Sequence, residues 1–232
     1  MGRHTGDAIS DKVLSNEVRR LINIHRLFHR NNGIFVNPLT DTEHILLLYD
    51  NDDDLLAAVK KYLNEGLRGE QPCIHGTYKL MSENYIRNFG LEIEDYEKNR
   101  KEGNLILLNL EPHYKKAIEG NLKPFDNLAK LVSDRVNKAR NQKDNYEYHS
   151  ILSKKVCIIT DCGSLLFMNG YYEQCAALET WWHQKPFAGT YICTYPKSLF
   201  DIFPNNVYLS TLFHTHDIAV DTDGRKFTEH MI

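Results

Sequence analysis

Eleven of the 232 residues are histidine, and imidazole both ligates metals and exchanges protons near neutral pH. His214 and His216 stand two apart, and on a strand that spacing sends both side chains to the same side. Two imidazoles so placed supply part of a metal site, which His44 or His75 on neighbouring strands could extend. The metal reading is therefore His44, His75, His214 and His216. Its plainer competitor, histidines hydrogen-bonded at strand ends, is preferred because no third ligand is fixed by spacing. His25 and His29 have helical i,i+4 spacing but lack the glutamate of an H-E-x-x-H zincin and read as surface residues.

Other chemistries find less support. Asp50 to Asp54 has the density of a calcium loop, yet Leu55 replaces the turn glycine and Lys61 falls at the bidentate acid position. A solvated helix cap is the better reading. Ser164 lies in no G-x-S-x-G elbow, and no motif links a cysteine to a histidine, so nucleophilic catalysis has no positive sign. Cys73, Cys157, Cys162, Cys175 and Cys193 are odd in number, form no C-x-x-C pair and lie mostly in apolar contexts. They read as buried thiols of a reducing, cytoplasmic protein. A formal charge of −3, with no basic stripe, argues against direct nucleic-acid binding. No run approaches the ~20 apolar residues that span a bilayer, so no membrane partner is expected.

The elements that must position these groups follow from apolar periodicity. A hydrophobic content of 42% and charged content of 25% suit a soluble globular chain. Residues 7 to 30 read as an amphipathic helix, so residues 1–36 form a helix and linker and 37–232 an α/β domain. Ile45 to Leu48 is a strand buried on both faces. Asp52 and Asp53 open a helix whose Leu55, Leu56, Val59, Tyr62 and Leu63 share one face, with Gly66 and Gly69 ending it. Cys73 to His75 continues a parallel crossover. Further strands are read at Leu105 to Leu110, Val156 to Asp161, Gly189 to Tyr195 and Phe213 to Val220. Helices are read at Ser82 to Asn88, Asp126 to Arg140 and residues 170 to 184, with a helical turn at Leu199 to Phe203. Residues 111 to 125 read as loop. Alternating strand and helix predict a layered α/β fold with a mainly parallel central sheet.

In such sheets a ligand lies beyond the strand carboxyl ends. There the loop Tyr49-Asp50-Asn51-Asp52-Asp53-Asp54 has four aspartates and neither glycine nor lysine, the reverse of a phosphate cradle. Asp161 ends an apolar strand, as the metal-associated aspartate does in ATPases of the RecA type. It reads equally well as a capping carboxylate for Cys162-Gly163-Ser164. The crevice expected from position is formed by Tyr49, Asp50, His75, Asn109, Asp161 and Tyr195.

His44, the run Ile45 to Leu48, Tyr49-Asp50 and then Gly66-Leu67-Arg68-Gly69-Glu70 resemble the opening of the MEDS family, the methanogen/methylotroph DcmR-type sensory domain. Tyr191-Ile192-Cys193-Thr194-Tyr195 and the later His216 resemble its closing portion, although Asp217 stands where the family often has proline. The resemblance covers about residues 41 to 222. It implies a three-layer RecA/KaiC-like fold, archaeal or bacterial, that has lost its phosphate loop. It adds His44 and His216 to the ligand-binding set. It also implies a non-catalytic sensory module for a small organic ligand, such as a hydrocarbon derivative. Signalling would run in trans through a kinase or transcription regulator, with homo-oligomers as a further partner and no cofactor. A metal-dependent enzyme using strand-end histidines with Asp161, and a ring- or dimer-forming assembly protein, are the alternatives.

Overall fold

The short apolar runs become the strands of one seven-stranded sheet. The structure is a computed structural model and describes residues 42–143, 155–184, 189–202 and 207–227. The expected helix of residues 7 to 30 lies outside them. The strands are β1 (Thr42–Tyr49), β2 (Cys73–Thr77), β3 (Leu105–Asn109), β4 (Val156–Thr160), β5 (Gly189–Pro196), β6 (Ile218–Asp221) and β7 (Lys226–Phe227). Their order is β3-β2-β4-β5-β1-β6-β7, and only the pairing of β6 with β7 is antiparallel. Between them run α1 (Asp52–Arg68), α2 (Glu83–Gly90), α3 (Tyr96–Glu102), α4 (Glu111–Ile118) and α5 (Lys123–Lys143). After β4 follow α6 (Cys162–Met168), α7 (Tyr172–His183), α8 (Ser198–Ile202) and α9 (Val207–Thr215).

Ile45, Leu46, Leu47 and Leu48 are all buried, as a strand sandwiched between two helical layers requires. Leu46 and Leu48 join Ile74, Ile158, Tyr191, Cys193 and Tyr195 in a core closed by apolar residues of α4 to α9. α1 packs on the other face, and its Gly66 shows why. A Cβ there would lie 2.7 Å from Cys73 Sγ, so the glycine permits close helix–sheet approach. Gly66 therefore lies inside α1; Gly69 is the residue at its end.

Three local expectations are corrected. Residues 111–118 form α4 rather than loop, with Pro112 in its first turn, where a missing N–H costs nothing. The final strand does not begin at Phe213: α9 runs to Thr215, and β6 starts only at Ile218. The cap of α1 is Asn51, not Asp52 or Asp53; its side chain accepts from Asp53 N and Asp54 N at 3.0 Å each. Among the described residues, no helix is long and apolar enough to cross a membrane.

Candidate functional site

The expected crevice residues separate into a rim at the strand carboxyl ends and a group inside the core. At the rim, β4 delivers Asp161 into a buried position. It occupies the cap position of α6, but its side chain makes no capping hydrogen bond. The Thr77 hydroxyl, at the end of β2, instead donates to Asp161 Oδ2. Oδ1 is buried and has no hydrogen-bond partner among the described residues. Burial pushes the carboxyl up to about 6, opposed by the Thr77 hydroxyl, the positive charge of Lys79 and the backbone amides of Tyr78 and of Asp161 itself.

Tyr49 and Tyr85 surround the same corner. Burial first, and then the carboxylates Asp52 and Asp161, raise both phenols above their ordinary value. Tyr85 shares a 2.7 Å hydrogen bond with His75 Nε2, and His75 stacks on Phe89 at 5.0 Å. Burial lowers His75 to about 4, so the ring is neutral at neutral pH. Thr77 and Tyr85 were not among the expected rim residues. Asp50 and Asn109 turn away from this corner. Asp50 is exposed and pairs with Lys197 Nζ at 2.7 Å. Asn109 accepts from Glu111 N at 2.9 Å and donates to Met81 Sδ at 3.2 Å.

His44, Tyr195 and His216 lie in the core instead. In the β1–β5 register, His44, Leu46 and Leu48 face the side of the sheet that carries Tyr191, Cys193 and Tyr195. His216 follows the last turn of α9 and stacks on His44, with ring centroids 3.8 Å apart. Between them Glu179 enters from α7. Its Oε2 is 3.4 Å from His44 Nε2 and 3.5 Å from His216 Nε2. Cys193 Sγ lies 3.3 Å from His44 Nε2.

The two histidines and Glu179 are held from behind. His44 Nδ1 meets the Thr215 carbonyl at 2.7 Å, and His216 Nδ1 meets the Leu212 carbonyl at 2.5 Å. A carbonyl only accepts, so both rings carry a proton on Nδ1 and turn Nε2 toward Glu179. The Tyr195 hydroxyl donates to Glu179 Oε1 at 2.5 Å and contacts Cys175 Sγ at 3.2 Å. Burial alone would raise the Glu179 carboxyl; the two histidines and the Tyr195 hydroxyl outweigh it and bring it to about 2. Burial, then the proximity of His44, lowers His216 to about 3. A Cβ on Gly163 would collide with Glu179 Oε1 and the Tyr195 hydroxyl, so the start of α6 packs directly against this pair.

Of the four histidines weighed as ligands, only His44 and His216 meet. His75 lies on the opposite face of the sheet, and His214 is exposed on α9 with its Nδ1 2.7 Å from the Ser210 carbonyl. Because α9 is helical, residues 214 and 216 do not share a side. Glu179 and Cys193 were missed. Glu179 sits on the apolar stripe of Cys175, Leu178 and Trp182, where an unexplained acid is a signal readable from periodicity. Among the described residues, His44, Glu179, Cys193 and His216 are the group of buried donors able to surround one ion; Asp161 is not a member. An open groove of about 700 Å³ between α2 and α3, lined by Ile86, Leu91 and Tyr96, contains none of these residues. No family model matches the chain, and no curated protein does.

Proposed function

We propose that the chain is a non-catalytic sensory module that binds a small organic molecule at the rim around Asp161. The observation that carries this reading is the buried Asp161 Oδ1, which has no hydrogen-bond partner among the described residues, next to two phenols and a threonine hydroxyl. A buried acceptor left unpaired costs about 1–3 kcal/mol, so a ligand bringing an O–H or N–H group gains by filling it. Alcohols and amines of short hydrocarbons have that chemistry, in line with the MEDS resemblance and its degenerate RecA-like scaffold. Transmission to a signalling protein in trans belongs to the same reading.

Nucleotide binding is disfavoured by the opening of α1. The Asn51 side chain already occupies the amides of Asp53 and Asp54, which a phosphate would otherwise use, and three aspartates fill the first turn. Thermal-shift titration of the purified chain tests the proposal. Short alcohols or amines are expected to raise the melting temperature in a saturable way, while ATP with magnesium leaves it unchanged. Stabilisation by the nucleotide, or indifference to every organic molecule in the panel, overturns it.

A further inference from the structure

We propose a second site, independent of the sensory reading: His44, Glu179, Cys193 and His216 bind one zinc ion that cross-links the core. A charge-assisted hydrogen bond between imidazole and carboxylate closes to about 2.7–2.9 Å. Here the two Nε2 atoms stand 3.4 and 3.5 Å from one carboxylate oxygen, and among the described residues neither Glu179 Oε2 nor His216 Nε2 has a hydrogen-bond partner. Zinc–ligand bonds of about 2.0 Å to N or O and 2.3 Å to S give tetrahedral edges of roughly 3.3–3.6 Å. The four donor atoms all lie within 4.8 Å of one another, a spread that a modest contraction around an ion brings to such edges.

Chemical type agrees with spacing. Two imidazoles, a thiolate and a carboxylate are zinc's usual donors, and four protein ligands make a closed, structural coordination shell. Charge agrees as well: the dication is balanced by one carboxylate and one thiolate, leaving a neutral centre in a dry interior. Binding therefore releases the Cys193 thiol proton to solvent, with no other bond made or broken outside the coordination sphere. The outer contacts are those a ligating shell needs. Backbone carbonyls fix both histidine tautomers, and Tyr195 holds the non-ligating oxygen of Glu179. The centre would join β1, α7, β5 and the segment before β6, positions spread from residue 44 to residue 216.

Zinc analysis of the untagged full chain, purified without chelator, is expected to give about one ion per chain. Removing it with a strong chelator is expected to lower the melting temperature by about 10 °C, restored by added zinc. Because the chain has eleven histidines, zinc on other sites is a competing outcome that metal content alone would not expose. Cobalt(II) substituted into the wild-type chain distinguishes it. The expected spectrum has tetrahedral d–d absorption and a thiolate-to-metal charge-transfer band, and Cys193→Ser removes that band. Glu179→Gln, which keeps shape, is expected to weaken zinc binding by tenfold or more. A wild-type protein that melts at one temperature with and without chelator and zinc overturns the proposal. So does a cobalt complex lacking the thiolate band, or one unaltered by Cys193→Ser.

Discussion

Asp161 keeps a carboxylate where ionisation works against folding. Its folded value of about 6 exceeds the ordinary value of about 3.9, so between these limits the folded chain binds more protons than the unfolded one. Its contribution to stability is thus fully present below about pH 4 and lost as pH rises through about 6. Asp161→Asn preserves an acceptor for Thr77 and removes the titration. The variant is expected to be more stable than wild type by about 2 kcal/mol at pH 7, with the difference gone near pH 4. Urea denaturation at a series of pH values measures this, and a pH-independent difference would contradict it. The wild-type curve alone conceals the effect, because His75 runs the other way. With a folded value of about 4, its stabilising share is present above about pH 6.5 and fades as pH falls through 4. At this scale Asp161 was legible from its place at the end of an apolar run. The partners Thr77 and Tyr85 were not, because β2 and α2 reach the corner only through tertiary packing.

Elements were legible wherever apolar runs had one consistent period. β1, α1, β4 and β5 came out close to their expected bounds because each is buried along its whole length or along one clean stripe. α9 failed that test: Phe213 to Val220 read as a strand, although the buried Leu209, Leu212 and His216 follow the helical period. That misreading placed His214 beside His216 and concealed the carbonyl of Leu212 that orients His216. α4 lies in the stretch read as loop, because Pro112 opens a helix as readily as it interrupts one. At the head of α1, Asn51 is a cap whose value can be measured. Asn51→Ala leaves the Asp53 and Asp54 amides without their side-chain partner and the Asp54 carboxylate without the Asn51 amide donor. The expected cost is about 1 kcal/mol of stability, read from denaturant unfolding, and Asn51→Asp should recover little of it because a fourth acid joins the turn. Full recovery by aspartate would show that charge repulsion is not felt there.

Across the whole molecule, the rim and the core group meet at the start of α6. Asp161 takes the Thr77 hydroxyl, and two residues later Gly163 lies against Glu179 and Tyr195. One backbone segment thus sets the position of a rim carboxylate and of a carboxylate in the core. Neither link could be read from sequence, since Glu179 and Gly163 approach only after α6 and α7 pack. Gly163→Ala must push the Glu179–Tyr195 pair or shift the backbone of α6; in a tightly packed interior such overpacking costs about 1–3 kcal/mol. A backbone shift would also move Asp161 against Thr77. A double-mutant cycle of Gly163→Ala with Asp161→Asn distinguishes the two responses at pH 7. If α6 moves as a unit, the two changes are coupled by about 0.5 kcal/mol or more, because both act on one hydrogen-bonded segment. If only the side chains of Glu179 and Tyr195 give way, the two effects add, and the rim and the core act as separate parts of the fold.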